Sequence, residues 1–387
     1  MAIAVNVENQ MNDDRPWGLL SGVRPAKIVH RRLDQGEHPQ DILQYLINRY
    51  EVSPSKAKLL IEVAMNNRCW VPGPATAEAE RLQVSLYLGI TYCSTRCAYC
   101  SFPSALLPVD EEQIVCLLEA IGQDIQAVVK LLSTCGLTVR TLYIGGGTPT
   151  CLPDKLFAQL MIRLASAFDI AALQEFTVEA GRPDSISPEK LQFMRQAGAT
   201  RISVNPQTMK QSTLDRIGRR HEAQQTVDAF RMVRAAGFER VNMDLIAGLP
   251  GETAADVKSS LTQVLVQKPE NITVHTLALK RGTELTGRQA ASDLPEPTAV
   301  RLMVEQSALQ IKEAGMIPYY LYRQKNSPGN LENVGYAKPG SECVYNIDMI
   351  EERRTIIGMG PSAASKAVVP HAGDQSGRAY FVSLSVD

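Results

Sequence analysis

The sequence lacks an excess of charge of either sign. Its 40 Lys and Arg stand against 41 Asp and Glu, a formal net charge of −1. It therefore shows none of the basic excess with which a nucleic-acid binder meets phosphate. It also lacks any apolar run near the roughly 18 residues needed to span a membrane. Residues 1–20 do not carry the profile of a secretory signal, so a cytoplasmic protein without a membrane span is expected. No short repeat period and no low-complexity segment is present. Histidine is scarce, with five in 387 residues. What remains is an ordinary soluble composition, 44% hydrophobic and 21% charged, at a length that holds one barrel-sized domain with something left over. Eight cysteines in so long a chain argue for metal or thiol chemistry and against a disulfide scaffold.

Along the chain, residues 1–14 are polar and expected to be loose. Helices are predicted after Pro25, from Gln40 to Tyr50 with Ile42, Leu43, Leu46 and Ile47 on one face, and from Ser53 to Asn67 behind a Ser-Pro-Ser cap. Arg24, Lys27, His30, Arg31 and Arg32 form a basic cluster that is either a solvated helix face or a contact for an acidic ligand. Val71-Pro72-Gly73-Pro74 breaks the chain. These features predict an N-terminal helical domain over residues 1–75, a barrel over 80–325 and a C-terminal segment over 326–387.

From residue 83 the pattern alternates. Strand-like runs at Val84–Ile90, Val139–Ile144, Phe176–Ala180, Ile202–Asn205, Val241–Ile246 and Ile272–Thr276 are separated by helical stretches such as Glu111 to Leu132. The fold class predicted is α/β, a partial (β/α)6 parallel barrel of the TIM-like kind. In such barrels chemistry sits at the carboxyl ends of the strands. There this chain places a cysteine loop, Gly145-Gly146-Gly147-Thr148-Pro149, Glu179, Asn205 with Gln207, Asp244, and His275.

The loop places Cys93, Cys97 and Cys100 at spacings of three and two residues. Three thiolates there can hold three irons of a four-iron, four-sulfur cluster and leave the fourth iron open. A structural zinc site would need a fourth ligand, and no histidine lies near in sequence. Cys69, Cys116, Cys135, Cys151 and Cys343 read as small buried residues. The glycine run admits close approach of a ligand or backbone but is neither a phosphate loop nor a dinucleotide fingerprint. Glu179 and Asp244 are either helix-capping carboxylates or acceptors for ribose hydroxyls. Arg219, Arg220 and His221 suit a carboxylate ligand, or form a solvated helix end.

The Cys-x3-Cys-x2-Cys loop after the first strand, with Tyr99 before the third cysteine, resembles the radical S-adenosylmethionine (SAM) superfamily. Tyr143-Ile144-Gly-Gly-Gly-Thr-Pro-Thr150, Arg201-Ile202-Ser203, Gln207, Asp244 to Pro250 and Gly282-Thr283 are similar to oxygen-independent coproporphyrinogen III oxidases and their haem-chaperone relatives. Trp17 to Pro25 and Tyr336 to Gly340 resemble the HemZ-type coproporphyrinogen dehydrogenase branch. The resemblance implies a [4Fe–4S] cluster on Cys93, Cys97 and Cys100, and SAM contacts from Tyr87, Gly146 and Glu179. It places Tyr99, Gly147, Thr148, Gln207, Arg219, Asp244 and Ala278 around a second SAM or the substrate.

The implied reaction starts with one electron from an external donor of the flavodoxin or ferredoxin kind. SAM is cleaved to methionine and a 5′-deoxyadenosyl radical, which takes a hydrogen from the β-carbon of a propionate. Carbon dioxide leaves, an acceptor takes an electron and a vinyl group remains. The tetrapyrrole's propionates would meet Arg219, Arg220 or the N-terminal basic cluster, with Tyr99 also at the reacting centre. Three departures stand out. Phe102 occupies the place of a fourth cysteine in the oxidases. Tyr345-Asn346 replaces the chaperones' His-Asn pair, and tyrosine can ligate haem iron. Relatives continue past Gly358-Met359-Gly360, so the C-terminal segment is expected to be truncated.

Overall fold

The computed structural model describes residues 15–73, 76–280, 283–286, 293–361, 363–371 and 374–382. The segment 1–14 and Gly282 lie outside them. The six expected strands are β1 (Gln83–Ile90), β4 (Thr138–Gly146), β5 (Glu175–Glu179), β6 (Arg201–Ser203), β7 (Arg240–Ala247) and β8 (Asn271–Thr276), and each pairs in parallel with the next. Two-residue β2 (Tyr92–Cys93) and β3 (Ala105–Leu106) form a separate ribbon.

The last part of the chain enlarges this sheet to eleven strands. β9 (Ile317–Arg323) and β10 (Glu332–Ala337) are an antiparallel hairpin on the β8 edge. β11 (Ile356–Met359) returns to lie parallel beside β1, followed by antiparallel β12 (Ser365–His371) and β13 (Asp374–Val382). The outermost strands, β13 and β9, do not pair, so the barrel is partial.

Period-two alternation divides each strand between two environments. Leu86, Leu88, Leu142, Ile144, Phe176, Val178, Ile202, Val241, Met243, Ile272 and Val274 belong to one buried apolar core. The same core includes Ile114, Leu118, Ile121 and Ile125 of a helix spanning Glu111–Cys135, and Phe157, Leu160 and Leu164 of one spanning Asp154–Ala167. The intervening positions are polar. Tyr143, Thr177, Glu179, Arg201, Ser203, Asn242, Asp244 and Thr273 line an inner cavity of about 80 Å³.

A helix over Val344–Glu351 closes this interior from the concave side. Its Asp348 accepts from Ser85 Oγ at 2.7 Å and pairs with Arg140 at 3.2 Å, all three buried. Its Tyr345 stacks on Tyr143, with ring centroids 4.4 Å apart, and on Tyr87 at 5.9 Å. Tyr345 is only 3% exposed and its hydroxyl has no partner among the described residues. Tyr345, which replaces the chaperones' histidine and could as a tyrosine ligate haem iron, is thus part of the sheet's inner packing.

The three N-terminal helices run Ala26–Asp34, Pro39–Tyr50 and Pro54–Asn66, the last capped by Ser53 accepting from Lys56 N at 3.4 Å. They dock on the β9–β10 hairpin through Glu332. This buried carboxylate takes Lys56 Nζ at 2.6 Å and Trp17 Nε1 at 2.9 Å. Trp17→Phe removes one donor to a buried charge, with an expected stability loss of roughly 1–3 kcal/mol. A urea midpoint that falls with an unchanged slope is the check.

The basic cluster is corrected as a substrate contact. Arg24 and Lys27 pair with Glu352 at 2.6 and 2.8 Å, and Arg32 pairs with Glu37 at 2.7 Å. His30 is fully buried, and burial, with Arg353 and Arg68 nearby, lowers its pKa to about 3. The buried carboxylate of Glu352 needs internal partners, and Arg24 and Lys27 supply them, whereas Arg31 is exposed. Among the described residues no helix is long and apolar enough to cross a membrane.

Candidate functional site

The carboxyl ends of β1 and β4–β8 open on a cavity of about 270 Å³. The cysteine loop covers it, and backbone pairing holds the loop there. Tyr92–Cys93 pairs in parallel with Ala105–Leu106, so both ends of the loop are pinned. Gly147 N donates to Ile90 O at 2.5 Å and Thr148 N to Tyr92 O at 2.7 Å, which ties the loop to the end of β4. The glycines make this approach sterically possible. Gly146 has φ +107°, and a Cβ there would sit 2.6 Å from Ile90 O; a Cβ on Gly147 would collide with the Tyr92 carbonyl.

Cys93, Cys97 and Cys100 all line the cavity. Burial pushes the Cys100 thiol up, and the neighbouring Cys97 and Cys93 push it further, against a backbone N–H of Phe102 and the charge of Arg182. Three thiols this close resist ionising together unless a metal charge relieves them. Among the described residues no three His, Cys, Asp or Glu converge as a single ion requires, whereas a cluster seats each thiolate on its own iron. Arg182 completes the fit. Its buried guanidinium donates to Cys97 Sγ at 3.1 Å and to Thr95 O at 2.5 Å, and its Nη1 has no partner among the described residues. A buried cation with a donor to spare beside three thiols suits an anionic group.

Across the cavity stand two carboxylates in different states. Burial raises Glu179 to about 7, opposed by the Tyr143 hydroxyl at 2.6 Å and a Gly146 N–H, with Asp244 adding to the rise. Burial also works against Asp244, but His275, Asn242 and Thr273 outweigh it and hold that carboxyl below its usual range. His275 lies 3.6 Å from Asp244 and hydrogen-bonds Tyr322 OH at 3.1 Å. Gln207, at φ +67°, bridges to β7 by its N–H to Asp244 O at 2.8 Å and leaves its buried Oε1 without a partner among the described residues.

Arg219 is buried and donates to Tyr99 OH at 3.1 Å, Gly181 O at 2.5 Å and Asn205 O at 2.7 Å. It joins the loops after β1, β5 and β6. Burial pushes the Tyr99 phenol up, so Tyr99 stays neutral.

The structure thus gathers Cys93, Cys97, Cys100, Tyr99, Gly146, Gly147, Thr148, Glu179, Gln207, Arg219, Asp244 and Ala278 around one cavity. It does not bring Arg220 there: that side chain is exposed and absent from the lining. Tyr87 lies on β1 in the stack with Tyr345 and Tyr143 and borders a separate cavity of about 200 Å³ beside Gly146 and Phe102. Of the remaining cysteines only Cys343 is buried; Cys69, Cys116 and Cys135 are exposed, contrary to expectation. Sequence reasoning missed Arg182, Arg96, Lys280 and Tyr322 in the lining. Arg182 had one signal, its place three residues after Glu179; the others had none.

Residues 87–264 match the model of the radical SAM superfamily. An oxygen-independent coproporphyrinogen-III oxidase-like protein, HemZ of Bacillus subtilis, is 39% identical over 353 residues, covering 91% of this chain and 70% of its own. A heme chaperone HemW of Lactococcus lactis is 32% identical over 269 residues, 68% of this chain and 64% of its own. For a second HemW, from Bacillus subtilis, this chain spans about half the length, 52%. In fold, the chain is similar to the coproporphyrinogen III oxidase HemN of Escherichia coli, a radical SAM enzyme. The TM-score is 0.61 at 21% identity, over 81% of this chain and 78% of that one.

Proposed function

Because this chain belongs to the radical SAM superfamily, and within it to the oxygen-independent coproporphyrinogen-III oxidase-like HemZ proteins, we propose that it is an oxidoreductase converting propionates of coproporphyrinogen III to vinyl groups in haem biosynthesis. The superfamily's cofactors are a [4Fe–4S] cluster and SAM. When bound, they supply an electron-triggered carbon radical able to take a hydrogen from an unactivated carbon.

The chain's own residues do the rest. Cys93, Cys97 and Cys100 hold three irons. Glu179 and the backbone at Gly146 receive the amino-acid or ribose end of SAM, with the Tyr87–Tyr345–Tyr143 stack supporting that wall from below. Asp244, held ionised by His275 and Asn242, accepts hydroxyl donors. Gly147, Thr148, Gln207, Tyr99, Arg219 and Ala278 bound the side where substrate or a second SAM sits. Arg219 fixes three loops at once, which keeps the reacting groups in register. Lys280 and Arg96, on the lining, meet the propionates in place of the N-terminal cluster. A flavodoxin- or ferredoxin-like donor and an electron acceptor complete the cycle.

The observation that carries this reading is the convergence of the cysteine loop, Glu179, Asp244 and a cationic rim on one cavity. Anaerobic incubation of the reconstituted protein with SAM, reductant and coproporphyrinogen III is expected to yield vinyl product and methionine. Absence of vinyl product, with SAM still cleaved, would overturn the substrate. Lys280→Gln is expected to raise KM roughly three- to tenfold with kcat unchanged, the loss of about 1 kcal/mol of rim charge pairing.

A haem-trafficking role is the second reading, favoured by the likeness to the HemW chaperones. It predicts a visible haem complex and no vinyl product. Because Tyr345 is buried in the stack, Tyr345→Phe would bind haem as the parent does.

A further inference from the structure

Arg182 is a buried arginine that answers to no acid. Among the described residues no carboxylate lies within ion-pair distance of it, while buried Arg140, Arg201 and Arg354 each have one; buried Arg219 also lacks one but donates to three oxygens. Its Nη2 touches Cys97 Sγ at 3.1 Å and Thr95 O at 2.5 Å, and its buried Nη1 has no partner among the described residues. A desolvated, unpaired guanidinium is costly unless a negative group arrives beside it.

The backbone that carries it is also held in place. Ser185 Oγ donates to the Arg182 carbonyl at 2.7 Å and lies 2.6 Å from Thr150 Oγ1, and Lys190 Nζ donates to Thr150 O at 2.7 Å. Pro183 opens a short turn directly after Arg182. The segment bearing Arg182 is thus tied to the segment following the glycine triplet, and the guanidinium itself is held by its bonds to Thr95 O and Cys97 Sγ.

We infer that Arg182 is a positioning residue for the cluster. Its fixed positive charge and N–H···S bond on the Cys97 thiolate stabilise the state with one more electron, and so raise the potential at which the cluster is reduced. The inference rests on the cluster assignment to Cys93, Cys97 and Cys100. The physical basis is that hydrogen bonds to the sulfurs and nearby charge set iron–sulfur potentials. The group whose negative charge grows on reduction gains most from an adjacent cation in a low dielectric. Anchoring the Thr95 carbonyl is the rival role, and it predicts no change in potential.

The test compares the reconstituted full chain with Arg182→Gln, Arg182→Met and Arg182→Lys. The readouts are iron content and the midpoint potential followed by electron paramagnetic resonance, with far-ultraviolet circular dichroism as the check on folding. Neutral variants that load four irons are expected to lose at least tenfold in the equilibrium for reduction, a shift of 59 mV or more to the negative side for one electron. Arg182→Lys is expected to restore most of it. A folded neutral variant with four irons and the parent's potential overturns the inference. If the neutral variants load no iron, Arg182→Lys decides: four irons at the parent's potential supports a role for charge, and failure to load assigns Arg182 to structure alone. A parent protein that binds no iron would instead overturn the cluster assignment, which separates the two failures.

Discussion

Cys93→Ala, Cys97→Ala and Cys100→Ala are each expected to give a folded, colourless chain that no longer cleaves SAM. In a site-differentiated cluster each thiolate serves a different iron, and no neighbouring group can substitute. Cys151 is the obvious rescuer, since it lies near Cys93: burial, and after it the Cys93 charge, raise the Cys151 thiol to about 12. But its Sγ donates to Tyr92 O at 3.3 Å. It is therefore held as a thiol facing the backbone, away from the cavity lining. Cys151→Ala is accordingly expected to keep its iron and colour. Iron content and visible absorption after anaerobic reconstitution are the measurements. Four irons retained in any one of the three loop variants would sink the cluster assignment.

Glu179→Gln is expected to weaken SAM binding roughly ten- to hundredfold, the loss of a charge-assisted hydrogen bond of about 1.5–3 kcal/mol. The parent's affinity should rise as pH increases through about 7, because ionised Glu179 is the stronger acceptor. The variant should lack that dependence; a parallel pH profile in equilibrium dialysis would remove Glu179 from the SAM contact.

Stability should respond with the opposite sign. The folded carboxyl binds its proton more tightly than the unfolded one, so the parent without cofactor loses stability between about pH 4.5 and 7. Above that window the loss is complete, and Glu179→Gln should be the more stable by about 2 kcal/mol. That figure is below the full 1.36 kcal/mol per pH unit because the carboxyl is half-buried at an open cavity. Gln can still accept from Tyr143 OH, while the Gly146 N–H loses a carboxylate oxygen, which also keeps the gain below the full figure. Urea midpoints of both proteins at pH 5 and pH 8 measure it.

Much of this was open to reading from local pattern. Alternation along β1 and β4–β8 separates helix-facing apolar residues from a polar inner row, and that row ends in Glu179, Asp244 and His275. The cysteine spacing names its chemistry by itself, since the ligands lie within eight residues of one another. The N-terminal helices were legible from their apolar faces and caps.

Pairing across long separations was not legible. Arg24 and Lys27 read as a solvated face or a contact for an acidic ligand, yet both pair with Glu352, more than 300 residues on. Tyr345 stands where the haem chaperones carry histidine and is buried against Tyr87 and Tyr143, because the helix bearing it fills the concave face. Arg182 carries no motif of its own; only the return of the segment after β5 sets it against Cys97. The residue types and their spacing determined the sheet, the cofactor loop and the strand-end acids, because those depend on backbone period and near neighbours. Which charges stay unpaired at the cavity was decided only in three dimensions, because burial and the partner that offsets it come from strands far apart in the chain.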